Sequence, residues 1–161
     1  MDKPDAMIDR DEEWAHCVEM WKRPGHDLHI VRGRRRAGKS FLLSHFARSV
    51  NGIYYQATRK TEREQLATLT RVVGHHFQDP ALLRVSFGSW EDLFFYCIER
   101  SNGERFLLAL DEFPYLMDAA PALPSIIQSI WDHELPGTSF KLVLSGLTVM
   151  SDGRPVAIAD P

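Results

Sequence analysis

The sequence predicts an α/β fold of three layers, with a largely parallel sheet at the centre and helices on both faces. Three observations predict it. Short apolar runs alternate with stretches of helical period along the chain. A glycine-rich loop lies between the first such run and the helix after it, in "VRGRRRAGKSFLL", Val31 to Leu43. The unbroken apolar run Phe106 to Leu110, the profile of a strand buried on both faces, ends in the acid pair Asp111-Glu112. With 161 residues the chain fits one domain: an N-terminal helical segment over 1–27, a core over 28–146 and an irregular tail over 147–161.

Taken in order, Asp9 is placed to cap a first helix in which Trp14, Cys17, Val18 and Trp21 recur at spacings of three and four, ended by Pro24-Gly25. Leu28 to Val31 reads as a strand. From Gly38 the chain turns helical, with Leu42, Leu43, Phe46 and Val50 on one face, until Asn51-Gly52 stops it before a second strand, Ile53 to Ala57. Thr61 and Glu64 have the spacing of a capping box for a helix carrying Leu66, Leu69, Val73 and Phe77 on one side as far as Asp79-Pro80. Ser89 and Asp92 open another, with Trp90, Leu93, Phe94, Cys97 and Ile98 in its stripe and Asn102-Gly103 at its end. After the acidic strand, Pro114 reads as a break. A helix with Leu123, Ile126, Ile127, Ile130 and Trp131 on one stripe then runs to Pro136-Gly137, and Phe140 to Leu144 makes the fourth strand. The tail has no sustained period, with Val156 to Ala159 a candidate short strand.

Bulk composition narrows the classes. Hydrophobic residues make up 44% and charged residues 25%, as in a globular protein. The net charge of −3 argues against a whole-surface nucleic-acid binder, so nucleic acid is a possible partner that the charge does not support, and any anion site is local. Cys17 and Cys97 have no metal-ligand spacing and read as buried thiols in a reducing compartment. The acidic N-terminus lacks the apolar core of a signal peptide, and no run reaches the roughly 18 apolar residues of a membrane span; a cytoplasmic location and no membrane partner are expected.

Gly33-Arg34-Arg35-Arg36-Ala37-Gly38-Lys39-Ser40 fits the phosphate-loop (Walker A) pattern GxxxxGK[ST], in the context that pattern needs, between a strand and a helix. Glycines let backbone N–H groups approach phosphate oxygens, and the helix beyond adds its positive N-terminal end. Lys39 is suited to the β and γ phosphates, and the Ser40 hydroxyl is a small, hard ligand for Mg²⁺. The binding stretch runs from Gly33 to Phe41. Arg34, Arg35 and Arg36 occupy variable loop positions, either as a solvated basic tip or in contact with phosphate, a partner or nucleic acid.

Asp111 and Glu112 lie at the carboxyl end of a strand, the edge where open α/β sheets bind ligands, in the manner of a Walker B motif. Asp111 is the candidate holder of Mg²⁺ through the ion's water, complementing Ser40. Glu112 is suited to orient the attacking water or take its proton. Ser145, before Gly146, either hydrogen-bonds that water or the γ phosphate, or caps a turn. His75-His76 diverge on a helix and have no third ligand at metal spacing, so they read as structural. Trp14, Trp21, Trp90 and Trp131 fall on helical stripes and read as core, and "TRKTER", Thr58 to Arg63, as a solvated face.

Four segments, "MIDRDEEW", "VRGRRRAGKSFLL", "LLALDEFPYL" and "SIWDHELPGTSFKLVLSGLTVM", resemble P-loop ATPases of the AAA/STAND type, and within them the archaeal-type ATPase family. The first segment is similar to an F-x-D/G-R-x-x-E-L motif. The resemblance implies a P-loop NTPase fold, with Ile8, Asp9 and Arg10 near the adenine, Glu112 activating water and Ser145 as a sensor. Members of that family continue through a fifth strand, a helical lid and C-terminal domains, whereas this chain stops at Pro161. The expectation is therefore a core without lid or C-terminal domains, binding nucleotide weakly and hydrolysing it slowly.

The expected function is ATP binding and Mg²⁺-dependent hydrolysis, with ATP and ADP as ligands and self-association or a larger protein partner open. A non-catalytic nucleotide switch is the alternative and a small-molecule kinase a weaker one, since a kinase does not need a water-activating Glu after the Asp. Arg84, Arg100 and Arg105 are candidate arginine fingers toward a neighbouring copy.

Overall fold

Side chains on successive strand positions point to opposite faces, so the apolar runs of this chain need cover on both sides. The computed structural model, which describes residues 1, 3, 7, 10–31 and 38–146, provides it. Its elements are α1 (Asp11–Lys22), β1 (Asp27–Val31), α2 (Lys39–Ser49), β2 (Ile53–Gln56), α3 (Glu62–His76), α4 (Trp90–Ser101), β3 (Phe106–Asp111), α5 (Phe113–Ala119), α6 (Leu123–His133) and β4 (Phe140–Ser145). The four strands form one parallel sheet in the order β1-β4-β3-β2.

The two faces sort by strand parity. Leu107, Ala109 and Val143 join Trp14, Cys17 and Met20 of α1 and Leu42, Leu43, Phe46 and Ala47 of α2 in one apolar layer. Leu108, Leu110, Leu142 and Leu144 join the buried residues of α3, α4, α5 and α6 in the other. Every residue of β3 and of β4 is buried, as the two central positions of the sheet require. Burial of each such leucine contributes about 2 kcal/mol. The predicted α/β class and layering are the ones the chain adopts.

Local signals act where the sequence places them. The Thr61 hydroxyl accepts from the Glu64 amide while Glu64 accepts from the Thr61 amide, a complete capping box, and Ser89 accepts from the Asp92 amide at 3.1 Å. Asn51 and Asn102, at the two helix stops, adopt left-handed backbone. Among the tryptophans, Trp14 and Trp90 are buried, and Trp21 and Trp131 are half-buried against the two layers. Pro114 corrects the expectation of a break. It lies in the first turn of α5, where proline's missing N–H would have no intrahelical partner and its fixed φ suits a helix, so it starts an element instead of interrupting one. The N-cap of α1 is Arg10 without a side-chain cap bond, and Asp11, Glu12 and Glu13 in its first turn complement the helix dipole. Asp9, the tail over 147–161 and the candidate strand Val156 to Ala159 lie outside the described residues, and among those described no helix is long and apolar enough to cross a membrane.

At the amino edge of the sheet, the buried Lys141 of β4 donates to the carbonyls of Arg23 at 2.9 Å and Gly25 at 2.7 Å, and stands opposite Asp27 in register. Burial lowers its pKa and the Asp27 carboxylate opposes that shift. This ammonium thus ties the α1–β1 connection to the sheet, and α1 in turn carries Arg10 to the opposite edge. Lys141→Met should cost about 2–4 kcal/mol in urea denaturation, because two carbonyls lose their donor and Asp27 keeps Arg23 alone as a nearby cation while side-chain volume is kept.

Candidate functional site

Parallel strands bring their carboxyl ends to one edge, and the register pairs Val31 with Ser145 and Gln56 with Asp111 there. Gly38 follows at φ +72°, in the left-handed region where a side chain is strained, and forms the N-cap of α2. A Cβ at this position would stand 3.3 Å from the Arg10 guanidinium, so Arg10 lies directly against the end of the glycine loop, held also by Glu13 at 3.0 Å. Lys39 and Ser40 open α2, whose first turn contains no acidic residue to compete for its exposed amides. Phe41 is 43% exposed, with its ring against His45 at 4.2 Å.

Asp111 is the centre of the site, only 1% exposed. Its Oδ1 accepts from the Ser145 hydroxyl and, at 2.9 Å, from the Glu112 amide; its Oδ2 accepts from the Tyr54 hydroxyl at 2.7 Å. The Ser40 hydroxyl lies close enough to the same cluster to act on both the Asp111 and the Tyr54 acidities. Burial pushes the Asp111 carboxyl up, but the donors from Ser145, Ser40, Tyr54 and the Glu112 amide outweigh it and hold the acid below the ordinary range. The Tyr54 phenol is pushed up, first by burial and then by its bond to Asp111. A buried, ionised carboxylate beside a serine hydroxyl at a helix N-terminus is a hard-oxygen donor set that fits Mg²⁺ completed by phosphate and water.

Glu112 follows at φ 53° and ψ 43°, a left-handed conformation that costs a non-glycine residue about 1–2 kcal/mol. Gly146, at φ +88°, makes this possible from the next strand: a Cβ there would come within 3.0 Å of the Glu112 Cα and 3.3 Å of its Oε2. The Ser145-Gly146 end of β4 therefore serves both acids, the serine on Asp111 and the bare glycine against Glu112. Both alternatives read for Ser145 have to accommodate this bond to Asp111.

The structure thus gathers Arg10, Gly38, Ser40, Asp111, Glu112 and Ser145 at one edge, with Lys39 between Gly38 and Ser40. Ile8, Asp9, Gly33, Arg34, Arg35, Arg36 and Ala37 lie outside the described residues. Arg100 instead donates to the Phe77 carbonyl at 3.1 Å and covers the Phe77 and Tyr96 rings, Arg105 packs over Trp21 where β3 begins, at the edge opposite Asp111, and Arg84 is exposed. His76 packs against Phe77 and Phe106, and among the described residues no group of three or more His, Cys, Asp or Glu is arranged to hold a metal. Tyr54 is the site residue that sequence reasoning missed. No local signal marks it: Tyr54 pairs with Ala109, and so shares a face with Asp111 two positions on, only once β2 lies beside β3.

Because the folded-state pKa of Asp111 lies below its unfolded value, its contribution to stability is complete above about pH 4 and is lost as pH falls through the folded value. Asp111→Asn lacks that titration, so thermal melting followed from pH 7 to pH 2 should show a shallower acid limb for the variant than for the wild type.

No family model matches the chain. It is 27% identical over 150 residues to an uncharacterized protein of Methanocaldococcus jannaschii, MJECL04, over 93% of this chain and 31% of that protein. It is 40% identical over 60 residues to another uncharacterized protein of the same organism, MJ0424, over 37% of this chain and 58% of that one. The chain thus spans less than two thirds of the length of either relative. Among solved structures, it is similar to the Walker-type ATPase paby2304 of Pyrococcus abyssi, with a TM-score of 0.66 and 23% identity over 89% of this chain and 46% of that one. That likeness shows the fold, an α/β fold of the P-loop NTPase type, in which this chain's parallel sheet has the order β1-β4-β3-β2.

Proposed function

We propose that the chain binds ATP with Mg²⁺ and hydrolyses it, as the nucleotide core of an AAA/STAND-type ATPase. The observation that carries this reading is the placing of Ser40, from the glycine-loop helix, close enough to the buried Asp111 of β3 to help hold its carboxyl low, with Glu112 next along the chain. Gly33 to Phe41 supply backbone amides for the triphosphate, and Lys39 pairs with its β and γ oxygens. Ser40, and Asp111 through water, would hold Mg²⁺, which would supply charge neutralisation at those oxygens. Glu112, at the N-cap of α5 in left-handed backbone, orients the attacking water and takes its proton as the water oxygen bonds the γ phosphorus and ADP leaves. Ser145 reports occupancy of the site through Asp111. Arg10, against Gly38, contacts the nucleotide in this reading, a role the family resemblance also assigns to Ile8 and Asp9.

The test is equilibrium binding of ATP alongside single-turnover phosphate release. Lys39→Ala should weaken ATP binding at least about tenfold and abolish release, whereas Glu112→Gln should bind ATP nearly as the wild type does and slow release by about 10²- to 10⁴-fold. Tight binding by the wild type with no Lys39-dependent release would assign the chain instead as a nucleotide-binding switch, and transfer to an acceptor would assign a kinase. Absence of Lys39-dependent ATP binding would end the nucleotide reading.

A further inference from the structure

The hydrogen bond from Tyr54 to Asp111 has no part in the chemistry above, and it falls on the metal-facing carboxylate of the site. A carboxylate offers about four lone-pair directions, two on each oxygen. On Asp111, Oδ1 already takes two donors, the Ser145 hydroxyl and the Glu112 amide. Oδ2 takes the Tyr54 hydroxyl at 2.7 Å. This occupancy has a chemical consequence. With Oδ1 filled, Oδ2 is the oxygen left to meet a cation directly, and Tyr54 takes one of its two directions, so the carboxylate meets an ion best through a coordinated water. Ca²⁺ takes six to eight oxygens and favours direct, often bidentate, carboxylates, while Mg²⁺ is small, octahedral and keeps its waters.

Resting on the reading of this site as one for ATP and Mg²⁺, we propose that Tyr54 is a specificity-determining, positioning residue: its hydroxyl occupies Oδ2 of Asp111 and thereby biases the site toward Mg²⁺ and against Ca²⁺. Tyr54 acts through Asp111. Its ring is held for that purpose by the fold, since β2 pairs with β3, Tyr54 faces the α2 layer beside Ala109, and Ser40 begins the helix packed on that same face. The tyrosine two-residue step below the strand end gives the ring the length to reach forward to the carboxylate.

The experiment measures binding of a fluorescent ATP analogue to the full chain in EDTA, in Mg²⁺ and in Ca²⁺, for the wild type, Tyr54→Phe, Asp111→Asn and the double variant, with thermal melting as the check on folding. Expected is a wild type that binds more tightly with Mg²⁺ than with Ca²⁺, and a Tyr54→Phe chain whose affinity in EDTA is kept while the Mg²⁺-to-Ca²⁺ affinity ratio falls about tenfold, the scale of losing a partner behind a metal ligand. On the Asp111→Asn background Tyr54→Phe should change that ratio no further. A purely structural tyrosine would lower melting and all three affinities together, leaving the ratio alone. An unchanged ratio in folded Tyr54→Phe, or an equal fall of the ratio with and without the Asp111 carboxylate, overturns the inference while nucleotide binding stands. A wild type with no metal-dependent ATP binding overturns both.

Discussion

Keeping a carboxylate ionised in the interior is the demand around which this chain is arranged. Asp111 has lost its water, and an isolated buried carboxylate would take up a proton instead of staying charged. The donors that prevent this come from four places: the hydroxyl ending β4, the hydroxyl opening α2, the phenol of β2, and the amide of the next residue. Only the last is local. The other three reach Asp111 because β2 and β4 flank β3 and because α2 packs on the face to which Asp111 points. Strand order, register and the charge state of one oxygen pair are therefore one problem with one solution.

The apolar layers make that solution rigid. With β3 and β4 buried throughout and covered on both sides, a register slip would move leucines out of one layer and into the other, as well as separating Ser145 from Asp111. At the far edge, Lys141 stands two turns of the pleat from Ser145 on the same strand and fastens the connection that delivers α1. That helix brings Arg10 against Gly38. One strand thus carries a structural cation at its start and a polar contact to the site at its end.

What the sequence made legible were features whose physics is local or strictly periodic. The acid pair after an apolar run, the Thr61 and Ser89 caps and the four strands follow from spacing alone, and Ser145 came to light as the polar end of a strand expected beside the acids. Pro114 misled because proline breaks a helix interior but suits a first turn, and the decision between them depends on residues not yet helical. Tyr54 and Lys141 were missed for a different reason. Each is a polar residue in an apolar run, and its partners, Asp111 for one and the Arg23 and Gly25 carbonyls for the other, are far away along the chain. Only strand pairing brings them together.

The left-handed turn at Glu112 narrows the alphabet open to that position independently of its chemistry. Valine, isoleucine or threonine there would set a branched Cβ against the preceding carbonyl, while glycine, asparagine and aspartate would relax the main chain. Replacement at 112 by a branched residue injures both the turn and the acid, so lost turnover in such a variant speaks to neither; glutamine, which keeps the shape and drops the charge, separates the two.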